Sequence, residues 1–199
     1  MKNERKIFSL YIDPYHPNVH LREPIAEDDY VFAANSNYLI KIAKSALEDT
    51  YEVNEEAPSI KDFFPARSDS RTVKLSELKA LIDKLPILEY DLCEECDGSG
   101  TVMWEYYHWK KDFDCPKCKG SGYGYEAIYP KPDYRKTVNI SGLFFKGEHV
   151  KVLIETLKLM SLDKVTMCFD SNKQFEQLVH FYLNDVTKVL IPSLYDEDK

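Results

Sequence analysis

Residues 93–100 read Cys-Glu-Glu-Cys-Asp-Gly-Ser-Gly, and residues 115–122 read Cys-Pro-Lys-Cys-Lys-Gly-Ser-Gly. Each is Cys-x-x-Cys-x-Gly-x-Gly, and nothing else in the chain restricts its fold as tightly. Two thiolates at this spacing reach one metal ion from a tight turn. The glycines that follow let the backbone take positive φ and fold back over the sulfurs. Eighteen residues separate Cys96 from Cys115, which suits a zinc site built from two such pairs. Cys93, Cys96, Cys115 and Cys118 are therefore the candidate ligands of one structural Zn2+ per chain. Four thiolates close the tetrahedral sphere and leave no open position for chemistry. The competing readings are four free buried thiols or two redox pairs. A redox pair starts a helix, and Gly-x-Gly after each pair disfavours one.

The window 93–125 holds four of the five cysteines, five of the seven glycines and both tryptophans. The whole chain has 199 residues, enough for one well-buried domain carrying a small module. With 44% hydrophobic and 30% charged residues, it is neither disordered nor low in complexity. Its net charge is −8. The blocks 1–90, 91–136 and 137–199 contribute −4, −2 and −2. Contact with nucleic acid would thus need a local patch assembled by the fold. Asp196-Glu197-Asp198 reads as part of a solvated acidic tail, 195–199. No apolar run approaches the ~18 residues of a membrane span, and MKNERKIFSLYID does not read as a signal peptide. A cytoplasmic, reducing compartment is expected, where paired cysteines act as thiolate ligands before they form disulfides.

Residues 7–12 and 30–34 read as strands around a proline-rich loop, and 38–46 fits helix and strand equally. Residues 49–72 read as a long loop around Phe63-Phe64-Pro65. Leu78, Leu81, Ile82 and Leu85 recur with helical period up to Pro86, and Val150, Leu153, Ile154 and Leu157 do the same. Strands are expected at 164–169, 178–183 and 186–191. The two helices align at an offset of 72 residues, with Lys74 falling on Lys146. That is either a true repeat or the generic likeness of two amphipathic helices. The fold class is α+β: two related helix–strand units with an inserted zinc-binding β-hairpin module. The α+β domain takes 1–90 and 137–194, and the inserted finger takes 91–136.

Over residues 91–126 the duplicated motif resembles the cysteine-rich zinc finger of DnaJ-type co-chaperones. That family carries four such repeats for two zinc ions and helps hold unfolded clients. The two repeats here imply one ion. The His-Pro-Asp of a J-domain is not matched: the nearest tripeptide is His16-Pro17-Asn18. A Gly/Phe-rich linker is not seen either, so the resemblance implies zinc more than chaperone work.

Trp104, Tyr106, Tyr107 and Trp109, with Lys110 and Lys111, crowd the segment between the cysteine pairs, beside His108 and Phe113. They are the candidate partner-binding residues, for a protein or for single-stranded bases. Packing of the finger onto the main domain is the competing use. Tyr123, Tyr125, Tyr129 and Tyr134 are expected to continue the same surface.

The run Ile140-Ser141-Gly142-Leu143-Phe144-Phe145, the helix after it, and strands ending Val189-Leu190-Ile191-Pro192 resemble a half-domain of the bacterial sliding clamp, the polymerase processivity ring. Residues 28–47 and 72–86 would form the partner half. The resemblance covers about 20–90 and 137–194 without a diagnostic motif. It implies a lysine-lined face from Lys79, Lys84, Lys151 and Lys158.

Other candidates are weaker. Cys168, in an apolar strand, reads as a structural thiol before a nucleophile. His16, His20, His149 and His180 lack metal-ligand spacing. Glu27-Asp28-Asp29 reads as a solvated turn, and Gly120 to Gly124 lacks the lysine and helix of a phosphate loop. The expectation is a non-enzymatic zinc-binding adaptor that engages a protein or other macromolecule. The alternative is a clamp-like DNA-associated factor, and a chaperone-like client binder ranks third.

Overall fold

The computed structural model describes residues 1–53, 56, 59, 63, 69–88, 92–123, 131–171 and 177–194. The chain divides into two compact units, Met1–Lys84 with Tyr134–Lys199, and Leu85–Asp133. In chain order the elements are α1 (Glu4–Ser9), β1 (Ile25–Glu27), β2 (Tyr30–Ala34), β3 (Leu39–Ala43), β4 (Asp69–Lys74), α2 (Leu75–Ile82), β5 (Thr101–Tyr106) and β6 (Trp109–Asp114). Then come β7 (Thr137–Ile140), β8 (Leu143–Lys146), α3 (Gly147–Leu159), β9 (Lys164–Phe169), β10 (Leu178–Tyr182) and β11 (Thr187–Pro192). The architecture is α+β.

The larger unit is built on a seven-stranded sheet in the order β1-β2-β3-β11-β10-β9-β4. Every pairing in it is antiparallel. Registers Val31↔Ile42, Ile40↔Val189, Val189↔Phe181 and Phe181↔Met167 put fully buried side chains on one face. Helix α3 buries Val150, Leu153, Ile154 and Leu157, the stripe expected from its period. Both α1 and α2 pack against α3, and Phe145 of β8 meets Phe181 edge-on, with centroids 5.7 Å apart.

Two groups of three strands meet across the antiparallel β3–β11 pair. One is β1-β2-β3, which follows α1; the other is β9-β10-β11, which follows α3. The sheet therefore repeats a helix followed by a three-stranded meander, pairing α1 with α3. The helices aligned from sequence, α2 and α3, share something more local. Each follows a strand whose last residue, Lys74 or Lys146, stands at the helix N-cap position without a capping side-chain hydrogen bond.

Several expectations need correction. Residues 7–12 are not a strand: α1 occupies Glu4–Ser9, and buried Glu4, Ile7, Phe8 and Tyr11 recur with helical spacing. The buried glutamate hides that period. Its carboxylate accepts the amide N–H groups of Glu48 and Asp49, at 2.7 and 2.8 Å, and the Tyr51 hydroxyl at 3.2 Å. The Tyr11 hydroxyl bonds Thr156 Oγ1 of α3 at 2.8 Å. Helix α2 stops at Ile82 instead of reaching Pro86, because Lys84 N–H bonds the Leu81 carbonyl and tightens the final turn. The loop expected over 49–72 contains the start of β4, a polar strand held at the sheet edge by β9. Residues 38–46 resolve into β3 and a 3-10 turn, Lys44–Ala46. Phe64, Pro65 and the acidic tail lie outside the described residues.

Candidate metal centre and aromatic hairpin

Both repeats fold alike. The four cysteines are buried, and their Sγ atoms all lie within 4.8 Å of one another. Cys93 and Cys115 are 3.8 Å apart at sulfur, and Cys96 and Cys118 are 3.7 Å apart. Four sulfurs at ~2.3 Å from a tetrahedral zinc would be separated by about 3.8 Å, so the donor set fits such an ion in type and spacing.

The glycines exchange roles across the site. Gly100 N–H donates to Cys96 Sγ and Gly122 N–H to Cys118 Sγ, each at 3.3 Å. The Cys93 N–H bonds the Gly122 carbonyl at 3.0 Å, and the Cys115 N–H bonds the Gly100 carbonyl at 2.8 Å. Gly100 and Gly122 have φ of 78° and 76°. A Cβ on Gly100 would run into the Gly120 carbonyl, and one on Gly122 into the Gly98 carbonyl. The second glycine of each motif is thus required by both its conformation and the close approach of the other repeat.

The four thiols titrate as one coupled cluster. Burial pushes Cys93 up to about 11. Burial also opposes charge on Cys118, but N–H donation from Gly122 and the thiols of Cys115 and Cys96 outweigh it, bringing Cys118 down to about 6. A cluster that already favours one thiolate suits a divalent cation.

Between the repeats, β5 and β6 form a hairpin with Tyr107 and His108 at its turn. Trp104, Tyr106, Trp109 and Lys111 fall on one face, since Trp104 pairs with Lys111 and Tyr106 with Trp109. Phe113 and Val102 continue that face. Lys110 falls on the opposite face, where it bridges Glu105 at 3.2 Å. Lys110 and Lys111, adjacent among the candidate partner-binding residues, are separated by strand alternation about the two-residue turn. Tyr123 is exposed in the same unit. Tyr134 belongs to the larger unit, where Lys151 Nζ sits 4.8 Å over its ring. Tyr125 and Tyr129 lie outside the described residues.

Lys79 of α2, Lys84 just beyond it, and Lys151 and Lys158 of α3 are all exposed, on helices that pack together. Cys168 is half-buried and stands opposite His180 in the β9–β10 register. Burial raises its thiol, away from the nucleophilic form. Among the described residues, no helix is long and apolar enough to cross a membrane.

No protein-family profile matches the sequence, and no curated protein matches it. Solved structures do match. The DNA polymerase III beta subunit of Thermotoga maritima aligns over 98% of this chain and 62% of its own, at 12% identity and TM-score 0.51. The beta chain from Streptococcus pneumoniae aligns over 96% and 62%, at 10% identity and TM-score 0.50. The Helicobacter pylori beta clamp in complex with 5-chloroisatin aligns over 98% and 64%, at 11% identity and TM-score 0.50. The chain spans less than two thirds of the length of these proteins, and at such identities the likeness is one of fold. Its structural neighbours are sliding-clamp folds.

Proposed function

We propose that this protein is a non-enzymatic, clamp-fold factor associated with DNA in replication or DNA processing. The fold likeness along nearly the whole chain carries this reading. The exposed lysines of α2, α3 and the turn after α2 support it, since Lys79, Lys84, Lys151 and Lys158 offer phosphate contacts on or beside neighbouring helices within a chain of net charge −8. In this reading residues 91–136 are an insertion in an α+β domain formed by 1–90 and 137–194. Zn2+, held by Cys93, Cys96, Cys115 and Cys118, supplies structural cohesion there and no chemistry. Thiolate ligation is suited to a reducing compartment.

The test is duplex DNA binding by fluorescence anisotropy across a salt series. Charge reversal at Lys79, Lys84, Lys151 and Lys158 is expected to weaken binding. It should also reduce the log–log salt slope by roughly one for each phosphate no longer neutralised. Absence of duplex binding at low salt overturns the reading, as would a robust turnover that depends on residues converging in one pocket. A second reading, a zinc-stabilised adaptor, is favoured by the exposure of Trp104, Tyr106, Tyr107 and Trp109. It predicts a partner protein whose capture requires those rings.

A further inference from the structure

The β5–β6 hairpin sorts its side chains by chemistry. Val102, Trp104, Tyr106, Trp109, Lys111 and Phe113 share one face. Glu105, Asp112 and Asp114 all fall on the other, where Lys110 is already paired with Glu105. The aromatic face therefore carries no acid, and its one charged side chain is Lys111, whose Nζ lies 5.1 Å from the Phe113 ring centroid. Trp104, Tyr106 and Trp109 are 71%, 73% and 80% exposed. At the turn, Tyr107 takes φ of 55°, a conformation that favours glycine or asparagine. It does so while 78% exposed, its ring meeting Tyr106 edge-on with centroids 4.8 Å apart. Tyr107 thus adds another exposed ring at the tip.

Flat rings with an interleaved cation, cleared of carboxylates, are complementary to bases joined by phosphates. The rings stack on base faces and Lys111 meets the backbone. In a duplex those base faces are stacked on one another and closed to side chains. We propose that this face is a stacking platform for single-stranded nucleic acid. It deepens the DNA-associated reading but uses none of the helix lysines, so the two can fail separately.

The experiment uses the full zinc-loaded chain and two probes, an oligothymidylate of about 15 nucleotides and a duplex of the same length. Tryptophan fluorescence is expected to be quenched by the single strand and not by the duplex. Trp104→Ala and Trp109→Ala should each weaken single-strand binding by about fivefold or more, with zinc content unchanged. Trp109→Phe should restore most of it. Lys111→Gln should flatten the salt dependence, whereas Lys110→Gln, on the acidic face, should leave it as it was. Charge reversal at Lys151 and Lys158 should alter duplex binding alone. Absence of quenching at low salt overturns the proposal, as does single-strand binding that survives the double tryptophan variant. Rings required only for capturing a protein would overturn it too.

Discussion

The two units of this molecule are held together by different physics. In the larger one, side chains from β2, β3, β9, β10 and β11 and the apolar stripe of α3 are withdrawn from water. Its cohesion is hydrophobic and spread over many residues. In the unit Leu85–Asp133, the buried apolar residues among those described are Leu85 and the four cysteines. Its large side chains, Trp104, Tyr106, Tyr107 and Trp109, point to solvent. A unit of this size with so little described core needs a staple, and among the described residues the cluster of four cysteines is the candidate for one. The contrast teaches that aromatic content is no guide to where a core lies: here the sulfurs are buried and the rings are exposed.

That contrast can be attacked directly. Removing the metal with a chelator, or making Cys118→Ser, should cost the small unit about 10 kcal/mol of binding-coupled folding energy. Hydrogen exchange should then show weaker protection over residues 92–123 and unchanged protection in the sheet. Native mass spectrometry should fall from one zinc per chain to none. The reciprocal change, Phe181→Ala in the sheet, should cost about 3–5 kcal/mol of the larger unit's stability and leave zinc content intact. Loss of zinc in that variant would show that the units are not independent.

Gly122→Ala forces a Cβ towards the Gly98 carbonyl at positive φ. It should weaken metal retention in competition with a chelator, at a strain cost of roughly 1–3 kcal/mol. A smaller effect is expected from His149, buried against Tyr38 with ring centroids 5.4 Å apart. Burial lowers its pKa below 6.5, while the Glu148 carboxylate raises it and Lys146 lowers it further. The unfolded chain then takes up a proton that the folded one withholds, so stability should fall as pH drops below about 6.5. His149→Phe should flatten the melting temperature across that range.

Elements whose burial follows their own period could be read directly. The α3 stripe and β9 fall where the spacing of apolar residues places them. Other elements gave no such signal. The α1 stripe includes Glu4, whose carboxylate is buried only because two amides and a hydroxyl from residues 48, 49 and 51 converge on it. Strand β4 reads Asp-Ser-Arg-Thr-Val-Lys and buries Val73 alone, so its pairing with β9 makes it a strand. The hairpin rings were visible as a cluster, but their sorting away from the acids depends on a register set by a turn in which Tyr107 adopts an unexpected left-handed conformation.

Within the sequence, the duplicated motif specifies a cluster of four cysteines, because ligand spacing and glycine placement are local properties. The helical and strand periods specify an α+β chain for the same reason. Which helix repeats which is settled only once distant strands pair across β3 and β11, where register is chosen by how much apolar surface the sheet can bury. Which face of the hairpin is free of carboxylates is settled by the turn at Tyr107 and His108, which sets the β5–β6 register.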